Sequence, residues 1–317
     1  MKTRFLLSTL LLAFLANAWA GDSGRYKEDF HYSFPQSAGG RLDLENFNGA
    51  VEILGWDQNT VDVSGTKYAE DESMLGAMRV EATQSGNMVH VRTSRPEPRK
   101  WNCGARYLIR VPRRTELVRV QSSNGSLKIE DVEGPAADLS TSNGAIRLRN
   151  IRGRLDLRTS NGPVDVQTAE GGVTIRTSNG SVTLDNVRGT LNATTSNGGI
   201  RGTLVDASPN EPIKLSTSNG VIDVKLQMPR NNDVTASTSN GSITIRMPSN
   251  AGARLSATTS SHESVQTDFD VQVRGLMSKH RLEGTLGSGG PPLRRSSTWR
   301  DATRTSIKPR ESPCGYN

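Results

Sequence analysis

The chain has 317 residues, 5% of them aromatic and 22% charged, and a formal net charge of +7. That length accommodates one or two domains, but so few aromatic residues exclude a bulky aromatic core and leave Val, Ile, Leu and Ala to build it. The positive surplus is confined to the ends. Lys2 and Arg4 carry part of it, residues 293–317 hold Arg294, Arg295, Arg300, Arg304, Lys308 and Arg310 against Asp301 and Glu311, and the body between is nearly neutral, which sets a nucleic-acid partner aside.

Lys2 and Arg4 precede the apolar run FLLSTLLLAFLA, and Ala18-Trp19-Ala20 offers a small-x-small cleavage site before Gly21, so residues 1–20 read as a signal peptide. The run is shorter than the ~20 residues of a spanning helix. Nothing downstream is long and apolar enough to cross a bilayer, so no transmembrane span is expected after cleavage. The expected destination is outside the cytoplasm: periplasm, cell surface or medium.

The first patterned segment, RLDLENFNGAVEILGWD, has Leu42 and Leu44 before Asn48-Gly49 and Val51 and Ile53 after it. From Thr66 to Arg114 the pattern loosens. EDESMLGAM reads as a short helix, GNMVHVRT and ARYLIRVP as strands, and RPEPRKWN as an exposed loop, together an opening cap to the regular part of the chain.

Beyond Arg114 the chain repeats itself. Ser-Asn-Gly recurs with its asparagine at Asn124, Asn143, Asn161, Asn179, Asn197, Asn219 and Asn240, preceded by Thr in every case but the first. A period near twenty residues signals a stacked or serial architecture. Six residues before the asparagine stand Val118, Ala137, Leu155, Val173, Leu191, Ile213 and Val234. Four before stand Val120, Leu139, Leu157, Ile175, Ala193, Leu215 and Ala236. Three after stand Leu127, Ile146, Val164, Val182, Ile200, Ile222 and Ile243, and five after stand Ile129, Leu148, Val166, Leu184, Val224 and Ile245, with Gly202 breaking the last column. Spacing of two is strand periodicity, so each repeat is two short strands joined at Asn-Gly. The extra residues of longer repeats fall in the links, near Pro135, near Pro209 and Pro212, and near Pro229.

Two all-β architectures fit. In an antiparallel β-meander, Asn-Gly is a tight hairpin turn, Arg158 faces Asp165 and Leu157 faces Val166. In a β-solenoid, parallel and β-helix-like, each repeat of about 18–22 residues is one coil, and the asparagines stack at the strand spacing of about 4.8 Å. The solenoid is the preferred reading, with the meander as the alternative. A hairpin explains Asn-Gly but not the Thr-Ser before it, whereas a stack repeats the whole environment of each corner. The seven asparagines are thus expected to be a structural corner column whose amides bond to one another. Residues 21–292 are expected to form one β-strand-repeat domain. Residues 293–317, polar, basic and without alternation, read as a disordered tail that leaves the last coil uncapped. The two cysteines, Cys103 and Cys314, are too far apart for a redox or zinc motif and could pair in an oxidising compartment.

The segments NFNGAVEILGWD and YLIRVPRRTELVRVQSSNG, with the serial TSNG arms as far as Gly241, resemble the bacterial putative-adhesin β-strand-repeat family of unknown function, over roughly residues 40 to 290. The resemblance implies an exported β-solenoid-like domain at the cell envelope and brings no catalytic residues. The arginine-rich tail departs from it.

Chemistry-bearing constellations are sparse. Some β-helices cleave acidic polysaccharides with calcium-binding carboxylates. Here the column four after each asparagine, Lys128, Arg147, Asp165, Thr183, Arg201, Asp223 and Thr244, mixes charges instead of converging oxygens. His31, His90, His262 and His280 stand singly, and GTLGSGG precedes no helix that could receive a phosphate. The Thr column, Thr141 through Thr238, shares the parity of the apolar positions and is expected to point inward. No catalytic, metal-binding or cofactor-binding residue, and no cofactor, is expected. The expected function is a non-enzymatic envelope or secreted adhesion and interaction scaffold whose partner is an envelope protein or a glycan, with self-association through the coil ends open to it. A polysaccharide-active β-helix enzyme is the alternative.

Overall fold

The computed structural model describes residues 24–95, 102–230, 232 and 234–248, and beyond them the backbone of five further strands. An N-terminal group comes first: β1 (Tyr26–Pro35), β2 (Arg41–Asn48), β3 (Val51–Trp56), β4 (Thr60–Ala69), the helix α1 (Glu72–Ala77), β5 (Arg79–Ser85), β6 (Met88–Ser94) and β7 (Cys103–Pro112). Strands then come in pairs, one before and one after each Ser-Asn-Gly: β8 (Glu116–Asn124) with β9 (Leu127–Glu130), β10 (Ala136–Thr141) with β11 (Ile146–Arg152), β12 (Arg154–Thr159) with β13 (Val164–Glu170), and β14 (Val173–Thr177) with β15 (Val182–Gly189). Three more pairs complete the series, β16 (Leu191–Thr194) with β17 (Ile200–Ala207), β18 (Ile213–Asn219) with β19 (Ile222–Leu226), and β20 (Val234–Asn240) with β21 (Ile243–Met247).

The protein is a parallel β-solenoid. The first strand of each pair lies in one sheet and the second in another, and like positions of successive repeats are register partners: Leu139 with Leu157, Leu157 with Ile175, Leu148 with Val166, Val166 with Leu184. The meander is thereby overturned. Leu157 and Val166 belong to different sheets, and no hairpin joins them. The inward columns of the two sheets meet in one continuous core, from Leu42 and Ile53 to Ile243 and Met247. Burying a Val, Leu or Ile side chain stabilises by about 1.5–3 kcal/mol, and every coil contributes several, so stability accumulates along the stack.

Parity departs from the sequence reading at two places. Val118 is 37% exposed while Leu117 is buried, because the register of β8 against both neighbours shifts between Leu117 and Val120. A bulge there turns Val118 outward and gives its expected place in the core to Leu117. In the second sheet, Asp131, Asn150, Thr168 and Asn186 take a left-handed φ of 53–59°. Each reverses the alternation of its strand, so that Val132, Ile151, Ala169 and Val187, eight residues after the corner asparagine, form an additional inward column.

The N-terminal cap is threaded out of chain order. β2 and β3, the NFNG coil, pair in parallel with β8 and β9, and Asn48 is the register partner of Asn124. On their other side lie β6 and β7, and the ends are closed by antiparallel strands, β5 beside β6 and β4 then β1 beside β7. The expected helix and two strands are present, with Met74 and Leu75 of α1 buried. The expected loop RPEPRKWN lies largely outside the described residues, as do the signal segment, His262, His280, Cys314 and GTLGSGG for all but its strand residues. Cys103 is fully buried, and burial pushes its thiol up.

The tail differs from its expectation. The remaining strands are β22 (Ala253–Thr258), β23 (Gln266–Thr267), β24 (Arg281–Leu286), β25 (Pro292–Ser297) and β26 (Ser306–Pro309). β25 pairs in parallel with β20 and β26 with β21, with Leu293 in register with Val234 and Ile307 with Ile245. Two segments that overlap the basic region thus add one strand to each sheet beyond β20 and β21. Their single apolar residues, Leu293 and Ile307, sit at the register of the core columns, which is the pattern the arginines obscured.

Candidate functional site

The corner asparagines come together in one column. The Nδ2 of each donates to the Oδ1 of the asparagine one coil earlier: Asn143 to Asn124 at 2.7 Å, Asn161 to Asn143 at 2.7 Å, Asn179 to Asn161 at 2.8 Å, Asn197 to Asn179 at 2.8 Å, Asn219 to Asn197 at 2.8 Å and Asn240 to Asn219 at 2.6 Å. Each remaining letter of the tetrapeptide has its own part. The Thr hydroxyls point inward and donate to the carbonyl of the previous coil's corner glycine, for example Thr195 to Gly180 at 2.9 Å and Thr217 to Gly198 at 2.9 Å. The Ser carbonyls accept the next asparagine's N–H, as Ser160 does from Asn179 at 2.8 Å. A Cβ on Gly162 would lie 2.0 Å from the oxygen of Gly144, and one on Gly180 1.8 Å from that of Gly162. These corner glycines lack a positive φ. They are required by the close approach of the coils rather than by a turn.

The opposite edge carries a second column that the sequence reading passed over. Asn150 donates to Asp131 at 2.6 Å and Asn186 to the Thr168 hydroxyl at 3.3 Å, each from a left-handed residue. Three residues further on, Gly153, Gly171 and Gly189 stack with positive φ of 116–129°. The legible signal was the recurrent [Asp/Asn/Thr]-x-x-Gly in DVEG, NIRG, TAEG and NVRG.

Residues 165–274 match the Toastrack DUF4097 family. The resemblance drawn from the TSNG arms stands with that match, and the Toastrack segment takes up the regular coils from β13 onward. Solved structures with similarity to the chain include a putative cell adhesion protein from Clostridium sporogenes (12% identity, 90% of this chain and 100% of that one, TM-score 0.25). Two come from Parabacteroides distasonis. One is a putative lipid binding protein (10% identity, 90% and 98% covered, TM-score 0.40), the other a putative adhesin (8% identity, 90% and 98% covered, TM-score 0.34). No curated protein matches the chain in sequence.

Among the described residues, the insertions into the coils emerge at the second edge. Ser208–Glu211 and the segment after Met228 are bound to each other there. Asn232, 3% exposed, donates to the carbonyls of Ser208 at 2.6 Å and Glu211 at 2.8 Å and accepts from the Arg230 N–H at 2.6 Å, while Met228 stands 47% exposed. Toward the N-terminus the same edge has an open cleft between the Ala38-Gly39 turn, Arg114 and the Gly134-Pro135 link. Between the cleft and the knuckle formed by Ser208–Glu211 and the segment after Met228 runs a column of alternating sign. Arg152 bridges Glu133 at 3.4 Å and Glu170 at 3.3 Å, Arg188 is the register partner of Glu170 and Asp206, and Arg230 holds Asp206 at 2.7 Å. Arg113 extends it, 2.7 Å from Asp57, and its hydrogen bond holds that carboxyl below its ordinary value.

The outer sheet faces carry similar cross-coil pairs. Lys128 reaches Glu52 at 2.7 Å, and that hydrogen bond raises the amine; Arg119 clasps Asp43 at 2.9 Å, and Arg246 bonds Asp223. Exposed pairs of this kind contribute about 0–1 kcal/mol each. On the cap, His31 meets Asp62 at 2.6 Å and Arg110 lies 5.8 Å above the Trp56 ring. His90 sits apart, beside Asp43, and among the described residues no cluster of three or more His, Cys, Asp or Glu is placed to hold a metal ion. What the arrangement can do is present a fixed edge of loops and charges.

Proposed function

We propose that the chain is an exported, non-enzymatic interaction scaffold of the cell envelope, with the insertion-bearing edge as its recognition surface. The observation that carries this reading is the confinement of insertions to one edge. The Asn and Gly columns hold the first edge in strict repetition, while the second carries the Ser208–Glu211 and Met228–Asn232 knuckle and the Arg114 cleft. Loops on a rigid frame are where recognition usually resides. The leader-like residues 1–20 support export.

The test is binding of the chain without residues 1–20 to intact cells, envelope protein extract and a polysaccharide panel. Deleting Pro209–Glu211, or replacing Arg114 by Ala, is expected to weaken binding, and Arg201→Ser on the sheet face to leave it intact. Binding indifferent to both edge variants would overturn the choice of surface. New reducing or unsaturated ends in the panel would overturn the non-enzymatic reading.

A further inference from the structure

Each of the seven Ser-Asn-Gly corners on the first edge is an Asn-Gly dipeptide, and from Asn143 to Asn240 the asparagines are exposed. Asn-Gly is the dipeptide most prone to lose its amide, because a glycine leaves the following main-chain nitrogen unshielded by a Cβ. We propose that the asparagine column is a site of ordered, non-enzymatic deamidation that begins at Asn240 and runs toward the N-terminus.

The reaction needs only water. The deprotonated main-chain nitrogen of Gly241 attacks Cγ of Asn240, the bond from Cγ to Nδ2 breaks, and ammonia leaves. Water then opens the resulting succinimide at one carbonyl or the other to give aspartate or isoaspartate. The balance is one water taken up and one ammonia released.

The order follows from the polarity of the ladder. An amide such as Asn179 is held twice, donating to Asn161 at 2.8 Å and accepting from Asn197 at 2.8 Å, and must give up both bonds to turn its Cγ toward the next glycine. Asn240 donates to Asn219 at 2.6 Å, and no asparagine amide among the described residues donates to it. The strand on its far side, Pro292–Ser297, is followed in sequence by Thr298-Trp299-Arg300 rather than Ser-Asn-Gly, so the sequence there does not repeat the corner asparagine.

Conversion then propagates in one direction. A carboxylate at position 240 has no hydrogen to donate and sets an acceptor against Oδ1 of Asn219, which loses its bond to the last rung. Asn219, left with only its 2.8 Å bond to Asn197, becomes the new end. On its other side a carboxylate still accepts, so an aspartate at an interior rung leaves the later coil anchored. The edge changes from neutral to acidic one rung at a time.

The experiment is site-resolved peptide mapping by mass spectrometry, with isoaspartate detection, of the full chain held at mildly alkaline pH. Asn240 is expected to convert about fivefold faster than Asn179, the rate factor of one net hydrogen bond. N240D is expected to raise the conversion of Asn219 to about that of Asn240 in the parent, and the uncharged N240A to shift it in the same direction. The chain in concentrated urea, where the column is gone, is expected to lose the rank order. Equal rates at Asn179 and Asn240 in the folded chain would overturn the proposal, as would a conversion of Asn219 unchanged in both variants.

Discussion

Gly162→Ala tests the stacked corner most directly. Its Cβ would lie 2.0 Å from the carbonyl oxygen of Gly144, 2.5 Å from the carbonyl carbon and 3.1 Å from the nitrogen of Ala145, all main-chain atoms. Neither side can yield by a rotamer change, so two coils must separate locally by about 1 Å, which strains close-packed neighbours by about 1–3 kcal/mol. The separation also stretches the hydrogen bonds that cross this gap. They are Thr159 to Gly144 at 3.0 Å, the Asn161 N–H to Ser142 at 2.9 Å and Asn161 to Asn143 at 2.7 Å. At about 1 kcal/mol each, losing two of them brings the expected cost to about 3–5 kcal/mol. Urea denaturation followed by hydrogen exchange at the amides of β12 and β13 measures it, since repeat stacks open locally as well as globally. Gly76→Ala in α1 is the control. Nothing lies within 4 Å of its added Cβ, and Ala in a helix is expected to gain about 0.5–1 kcal/mol. A Gly162→Ala protein within about 1 kcal/mol of the parent would refute the argument that glycine is there for close approach.

Three further outcomes rest on equally specific contacts. Asn179→Ala removes the bonds to Asn161 and Asn197 and is expected to destabilise by about 1–3 kcal/mol in the same urea assay. At the other edge, Asn150 has φ 54° and bonds Asp131. Asn150→Ala is therefore expected to cost about 1–3 kcal/mol and Asn150→Gly clearly less, a difference that thermal melting resolves. Burial, only partly offset by the 2.5 Å hydrogen bond to Thr93, pushes the Tyr107 hydroxyl far above its ordinary value of 10.0. Because the folded value lies above the unfolded one, this contribution to stability is complete below about pH 10 and is lost as pH rises toward the folded value. A falling urea midpoint above that pH, shallower in Tyr107→Phe, is the expected result, and spectrophotometric titration should show one tyrosine ionising late.

How far the sequence reached can be judged from its columns. Leu139, Leu157 and Ile175, read as stacked, are register partners, and the Thr column read as inward donates to glycine carbonyls. Both were legible because strict alternation leaves only one face for each residue. Val118 was misread because a bulge adds one residue without changing composition, and apolar Leu117 and Val118 stand side by side. The column of Val132, Ile151, Ala169 and Val187 was invisible to period-two counting, since the left-handed residue before each reverses parity. The cap was read correctly as strands and a helix, but not as a thread in which β6 and β7 lie outside β2 and β3. That order depends on contacts between segments far apart in the chain, which no local pattern records.

The second edge was legible only as the place where repeats lengthen, and its physical reason is visible in the two corners. At the first corner a Cβ on glycine would meet the preceding coil's carbonyl, the asparagine has a partner above and below, and the Thr hydroxyl occupies that same carbonyl. An inserted residue there would break three columns at once. At the second corner the bonds between like positions are fewer and more varied, Asn to Asp in one place and Asn to Thr in another, and the coil tolerates a link as long as Ser208–Glu211 because Asn232 can hold it from the next coil. The stack thus divides its labour by edge, with repetition fixing one side and variation permitted on the other. If that division is correct, transplanting the Ser208–Glu211 insertion into the link at Gly171-Gly172 should leave the fold intact with a loss of at most about 1 kcal/mol, whereas the same insertion after Asn161 should unfold the neighbouring coils. Hydrogen exchange along β11 to β15 distinguishes the two, and equal tolerance at both corners would end the argument for an edge reserved for recognition.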